Sequence, residues 1–222
     1  MISKDYSRYG TLETDCGRYY FLKSDPATLF PSVSTIIHGS KKSSGFVSPY
    51  AAIGSLIHWK ILKCYADRPL PRPTDPIYKM EPEEIERRIE SCMMQWDKLQ
   101  LRIKPIVVET AMFSRSPRVG GRCDLFCYLD GVRTLLDIKT GKEYKDNITQ
   151  AAGYVNMLRW SPKQAALVYL DADLERNPEQ QGHVKILKRP ELEKGFEDFL
   201  DKYSGFDFPE FDFSKDPIIV DQ

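Results

Sequence analysis

Histidine is scarce in this 222-residue sequence, limited to His38, His58 and His183. Charge imbalance is absent: Lys plus Arg and Asp plus Glu number 32 each, a net charge of +0 at pH 7. A chain without excess positive charge does not coat nucleic acid through bulk electrostatics, although a local basic groove remains compatible with it. No apolar run reaches the roughly 18 residues of a membrane-spanning helix. The start, MISKDYSRYG, lacks an apolar signal core. The expectation is therefore a cytoplasmic protein, or one made in a host cytosol. The five cysteines are odd in number and form no Cys-x-x-Cys pair, which points to reduced thiols rather than a disulfide framework. Internal repeats and low-complexity segments are missing too.

What is present is an ordinary folding composition, 41% hydrophobic, 12% aromatic and 29% charged, enough for one domain spanning 1–222. RYYFL (18–22) reads as a strand, and FPSVSTIIHGS (30–40) as a turn into a short helix capped by Ser32 or Ser34. KKSSG (41–45) is a loop. Helical periodicity runs from Ser48 to Ala66, with Pro49 in the first turn. Residues 67–104 read as an insertion: a proline-rich connection, then an amphipathic helix from Glu81 to Leu101. The insertion forms either an arch over a site or a packed outer layer. Strands follow at 104–114, on both sides of Asp130-Gly131, at 165–171 and at 183–188, with helices at 147–160 and 191–203. This order predicts an α/β (α+β) fold, a central mixed β-sheet flanked by helices.

The segment GGRCDLFCYLDGVRTLLDIKTGK (120–142) is the most informative. Asp130-Gly131 between apolar runs signals a two-residue hairpin, because a type I′ turn needs positive φ at both central positions. Leu129 then faces Val132, and Asp124 falls opposite Asp137, with Cβ atoms about 4.5–5.5 Å apart. Strand alternation puts Cys123, Leu125 and Cys127 on one face with Leu136 and Ile138. The two acids and Lys139 share the other. Cys123 and Cys127 suit small apolar core positions better than a metal or cluster site. Like charges in cross-strand contact destabilise a hairpin. Two compensations are open: a divalent cation such as Mg²⁺ or Mn²⁺, or a solvated face neutralised by Lys139 and Arg122.

Other residues gain meaning beside this pair. His58 lies on a helix whose Ala51, Ala52, Gly54 and Ser55 allow close approach to another element. Glu109 follows an apolar strand and is either a further carboxylate or a strand-end charge. Gln150 and Tyr154 share one face of a helix, whose Ala151, Ala152 and Gly153 permit close packing.

Taken in order, Gly-x-x-x-His (54–58), Glu109, Gly-Arg-x-Asp (121–124), Asp-Ile-Lys-Thr-Gly (137–141) and Gln-x-x-x-Tyr (150–154) resemble the PD-(D/E)XK nuclease superfamily. The resemblance is to its RecB-like branch, which includes the mitochondrial genome maintenance type, phage and archaeal-virus exonucleases, and CRISPR adaptation nucleases. FPSVSTII also looks like the PSVT-x-I-L segment of the mitochondrial type. The resemblance covers roughly residues 30 to 170. It implies a restriction-endonuclease-like core with a helical N-terminal elaboration. Adaptation nucleases of this branch carry cluster-binding cysteines near the C-terminus. No cysteine follows Cys127 here, so no iron–sulfur cluster is expected.

The activity implied is Mg²⁺- or Mn²⁺-dependent phosphodiester hydrolysis, expected to be an exonuclease acting on single-stranded DNA ends. Alternatives are a structure-selective endonuclease of the same fold or an inactive nucleic-acid-binding protein. Asp124 and Asp137 would hold the metal with His58 and the Ile138 main-chain carbonyl, and Glu109 is a possible further ligand. Lys139 would position the attacking water or stabilise developing charge, and Gln150 would orient water or phosphate. Tyr154 would contact the DNA backbone or close the site. Lys41, Lys42, Arg115, Arg118, Arg122, Lys142 and Lys145 are candidate phosphate contacts. Tyr50, Trp59 and Phe113 are either stacking platforms for unpaired bases or core residues.

Overall fold

The computed structural model describes residues 9–14, 16–39, 48–74, 77, 80–157, 162–172 and 181–209. Lys41, Lys42, the loop at 41–45, the end of the expected helix at 158–160 and the acidic aromatic tail from 210 lie outside these. Two sheets are present. β1 (Tyr9–Thr14), β2 (Gly17–Leu22) and β3 (Asp25–Pro31) form a small antiparallel sheet in that order. β4 (Ile103–Arg115), β5 (Arg118–Leu129), β6 (Val132–Lys139), β7 (Gln164–Tyr169) and β8 (His183–Leu187) form the main sheet, also in sequence order. β6 and β7 are parallel and the other neighbours antiparallel, so the sheet is mixed. The parallel pair requires a crossover, supplied by α4 (Lys145–Met157).

Helices cover both faces of the main sheet. α4, α5 (Arg189–Ser204) and the short α1 (Val33–His38) pack on one side, through Val33, Ala151, Ala152 and Phe199 against Phe126, Leu135 and Leu167. α2 (Pro49–Leu62) and α3 (Pro82–Lys98) cover the other, through Ile53, Ile57, Ile89 and Trp96 against Leu125, Leu136 and Val168. Burial on both faces explains why LLDIK and AALVY read as near-continuous apolar runs rather than alternating ones. Ile89, Cys92 and Trp96 of α3 are buried within the α2 side.

Local chemistry sets the element ends. Ser32 Oγ accepts the Thr35 N–H at 2.9 Å, and Ser48 Oγ accepts the Ala51 N–H at 3.2 Å, capping α1 and α2. Asp130 (φ 50°) and Gly131 (φ 81°) make the hairpin turn, and Leu129 pairs with Val132 as expected.

One expectation is extended and one corrected. The helical N-terminal elaboration also carries a small sheet, in which β1 and β3 flank the strand foreseen at 18–22. Asp25-Pro26 and Pro31 hide β3, because proline inside a run argues against a strand except at an edge or a strand start. β3 is an edge of its sheet. Cys123 also faces the wrong way. It packs on the α4 side with Met112 and Tyr154, while Leu125 and Cys127 face α2 and α3. The facing alternation slips by one residue at Asp124. β4 slips at the same level: Val107 and Met112 both face the α4 side, five residues apart.

Candidate active site

The slip in facing coincides with a row of carboxylates. Val108 pairs with Leu125 and Thr110 with Cys123, which sets Glu109 level with Asp124. Leu125 pairs with Leu136, which sets Asp137 level with Asp124 on its other side. Three adjacent strands thus each bring one acid to one rung. Neither ladder contains a backbone pair within that row. Glu109 has φ 47°, a left-handed conformation costly for a residue with a side chain. The carboxylate of Asp124 takes the N–H of Ile138 at 2.8 Å, replacing the ladder bond there. Asp124 and Asp137 are only 8% and 5% exposed.

α2 delivers the imidazole. A Cβ at Gly54 would stand 2.7 Å from Thr140 Oγ1, so only glycine lets the helix rest against the end of β6. One turn later, His58 Nδ1 lies 3.3 Å from Asp124 Oδ2. The Gly-x-x-x-His spacing therefore has a mechanical basis: the contact and the imidazole lie on the same side of the helix.

Lys139 ends β6 with its ammonium enclosed. Nζ lies 2.5 Å from Asp137 Oδ2 and donates to Gln150 Oε1 at 2.5 Å. Gln150 Nε2 in turn donates to Tyr154 Oη at 3.2 Å. Tyr154 was expected to contact the DNA backbone or to close the site. It is buried, its ring against Gly121, where a Cβ would come within 2.6 Å of Cε1. Its hydroxyl is spent on holding Gln150.

The two aspartates are driven apart electrostatically. Burial pushes the Asp124 carboxyl up, but His58, the Ile138 N–H and Lys139 outweigh it, and the group lies below its ordinary value. Burial also pushes Asp137 up, and the charge on Asp124 adds to it; Lys139 only partly offsets this, so Asp137 lies above its ordinary value. Burial likewise holds Glu109 up despite Arg122. Burial alone would lower His58, yet Asp124, Asp137 and Glu109 together raise it. Three acids thus crowd one rung, each beside one basic group: Glu109 with Arg122, Asp124 with His58 and Asp137 with Lys139.

That crowding of carboxylates bears on metal binding. Among the described residues, no three His, Cys, Asp or Glu side chains converge as a preformed metal cluster. The donor chemistry nonetheless suits a hard divalent ion: two carboxylates and the Ile138 carbonyl, with His58 alongside. Asp137 Oδ2 is buried and meets the Lys139 ammonium at 2.5 Å, which uses only part of the acceptor capacity of a carboxylate. A buried carboxylate oxygen in that state has coordination to offer. A cavity of about 190 Å³ beside β4, lined by Tyr65, Arg68 and Val108, includes none of these groups.

The candidate phosphate contacts are spread out. Arg122 pairs with Glu109 at 2.8 Å and stays partly exposed beside the row. Lys142 is exposed in the loop leaving β6. Lys145 pairs with Asp198 at 3.0 Å. Arg115 and Arg118 face each other at the tip of the β4–β5 hairpin, roughly 20 Å along the strand from Asp124. There Arg118 lies over the Phe208 ring, 4.4 Å from its centroid. Phe113 is buried with Tyr9, Tyr20 and Phe30, a core residue. Trp59 Nε1 donates to the Leu70 carbonyl at 3.1 Å, with Lys63 over its ring. Tyr50 is exposed. Arg88, which matters to this end of the sheet, carried no distinctive sequence signal, and Thr140 entered only as part of the Asp-Ile-Lys-Thr-Gly motif.

No protein-family model matches the sequence, and no curated protein matches it significantly. Solved structures do. An alkaline exonuclease (LHK-Exo) from Laribacter hongkongensis is similar at 13% identity and a TM-score of 0.38, over 79% of this chain and 88% of that one. A phage-related exonuclease from Haemophilus somnus 129PT is similar at 14% identity and a TM-score of 0.38, over 80% of this chain and 92% of that one.

Proposed function

We propose that this protein is a metal-dependent DNA nuclease of the PD-(D/E)XK type, an exonuclease acting on single-stranded DNA ends. One observation carries the reading: two buried aspartates share a rung, and Lys139 is held between Asp137 and Gln150 beside them. Asp124, Asp137, the Ile138 carbonyl and His58 are the groups that would hold Mg²⁺ or Mn²⁺. When bound, the ion would supply an acidified water and neutralise charge on the scissile phosphate.

The remaining chemistry belongs to the side chains. Asp124 is pre-fixed by the Ile138 N–H and His58, so its charge needs no reorganisation on substrate binding. Lys139 presents its ammonium where phosphate oxygens would gain negative charge. Gln150 fixes the direction of that ammonium through Oε1, and Tyr154 fixes Gln150. Arg122 and Lys142 would take the neighbouring phosphates.

The test uses end-labelled single- and double-stranded DNA, linear and circular, with Mg²⁺ or Mn²⁺. Wild type should degrade linear single strands, and Asp137→Ala and Lys139→Ala should lose activity by at least about 10²-fold. No cleavage by wild type would sink the enzyme reading. Cutting of circles would replace exonuclease with endonuclease, and undiminished activity in both variants would show the site to be elsewhere.

A further inference from the structure

Tyr50 is an unusual exposed aromatic. Its residue surface is 56% accessible, yet one side of the ring is covered by the guanidinium of Arg88, 5.4 Å from the centroid. Arg88 is itself only 9% exposed and immobilised. Its Nε and Nη2 donate to Glu84 at 3.0 and 2.6 Å, and its Nη1 donates to the Ala172 carbonyl at 3.0 Å. A fixed cationic plate therefore supports one face of the phenol and leaves the rest open to solvent.

Its position relates it to the candidate site. Ala172 lies just beyond the C-terminal end of β7, and Lys139, at the end of the parallel strand β6, pairs with Tyr169 of β7. The Arg88–Tyr50 pair thus stands at the same end of the sheet as Lys139. Tyr50, Gly54 and His58 follow at intervals of four along α2, so they share one side of the helix, drifting about 40° per step. Gly54 touches Thr140 and His58 reaches Asp124, which turns that side of the helix toward the carboxylates. From His58 to Tyr50 the axial distance is about 12 Å, the reach of about two to four nucleotides of a single strand.

Building on the nuclease reading, we infer that Tyr50, backed by Arg88, is a stacking platform for an unpaired nucleobase of the substrate strand. Every base has a π-face, so such a platform selects single strands over duplex without selecting sequence. The guanidinium over one face favours this ring position before binding through a cation–π contact, which lowers the ordering cost. A paired base inside a duplex cannot lie against it.

The test separates this inference from the nuclease reading. Single-stranded oligonucleotides carrying 2-aminopurine at successive positions from one end are bound by the full chain with Ca²⁺ in place of Mg²⁺. Fluorescence should be quenched at one position, about two to four nucleotides from the cleaved bond. Tyr50→Ala should abolish that quench and weaken single-strand binding about tenfold. Tyr50→Phe should retain both, and so should Tyr128→Ala, at the far end of β5. Unchanged binding and quenching in a folded Tyr50→Ala overturns the inference, as does failure of wild type to bind single strands. Absence of Mg²⁺-dependent cleavage, with position-specific quenching intact, would instead overturn the nuclease reading and leave the platform standing.

Discussion

Replacing Gly54 by alanine tests how the site is assembled without touching any group proposed to do chemistry. The new Cβ would lie 2.7 Å from Thr140 Oγ1, where ordinary contact begins at 3.4 Å, so something must give by the difference of 0.7 Å. Thr140 is β-branched and stiff at χ1, so much of the shift falls on α2. If the helix moves as a body, His58 retreats from Asp124 by a similar amount, from 3.3 Å to about 4 Å. A displacement of about 1 Å costs on the order of 10²-fold in rate, so kcat/KM should fall roughly 10- to 30-fold. Stability should change less. Alanine gains up to about 1 kcal/mol of helix propensity, while overpacking costs about 1–3 kcal/mol. The net is a loss of about 0–2 kcal/mol, or a Tm lower by up to about 8 °C at this chain length. The decisive measurement is the double variant Gly54→Ala/Thr140→Ala. With Oγ1 gone, the nearest remaining Thr140 atom, Cβ, is 3.9 Å away, and activity should return to that of Thr140→Ala alone. Full activity in the single variant, or no recovery in the double, would refute the docking argument.

Tyr154→Phe removes only the acceptor of the Gln150 amide, worth about 1 kcal/mol; steady-state kinetics should show kcat down about 5-fold with KM unchanged, and Gln150→Ala should cost more. In EDTA, Asp137→Asn should raise Tm at neutral pH. The Asp137 carboxyl is raised in the fold by burial and by Asp124, so its ionisation subtracts stability as pH rises through its folded value. The advantage should vanish below the ordinary carboxylate range, and a calorimetric pH series checks it. Added Mg²⁺ should then stabilise wild type more than Asp137→Asn, because binding to the native state adds RT ln(1 + [L]/Kd); equal shifts would count against Asp137 as a ligand. Burial pushes the Cys92 and Cys127 thiols up to about 12 and Cys123 higher still. A disulfide reagent at pH 8 should therefore label only exposed Cys64 and half-buried Cys16 quickly, with the other three reacting on unfolding.

How much of this could be read in advance followed from how local the cause was. The Asp130-Gly131 turn fixes φ by residue type, so its register, and with it the Asp124–Asp137 rung, could be counted from the sequence. The α1 cap, narrowed in the sequence to Ser32 or Ser34 and found at Ser32, was equally local. β3 was hidden by its prolines, which an edge strand tolerates. The level of Glu109 depends on the β4–β5 register, which shifts at Ile106, and a bulge leaves no compositional trace. Tyr154 sat correctly beside Gln150 on α4, but its burial is decided by Gly121 on another element. Pairings across elements, such as Gly54 with Thr140 or Arg88 with Tyr50, had no sequence signature.

The row of acids also explains why the irregularities occur where they do. A regular ladder through Glu109, Asp124 and Asp137 would put three like charges side by side on adjacent strands, each pair destabilising. Instead the ladder opens there: Glu109 adopts φ 47°, Asp124 turns its carboxylate onto a backbone N–H, and the facing slips by one residue. Strain of this kind persists only where the surroundings over-determine it. Here apolar clusters close over both faces immediately around it, with Leu125, Leu136 and Ile138 on one side and Phe126 and Leu135 on the other. The fold thus spends core stability on crowding three carboxylates onto one rung. Sequence rules fail locally at such places when the misfit serves a site, and a divalent cation is the partner that would relieve this one.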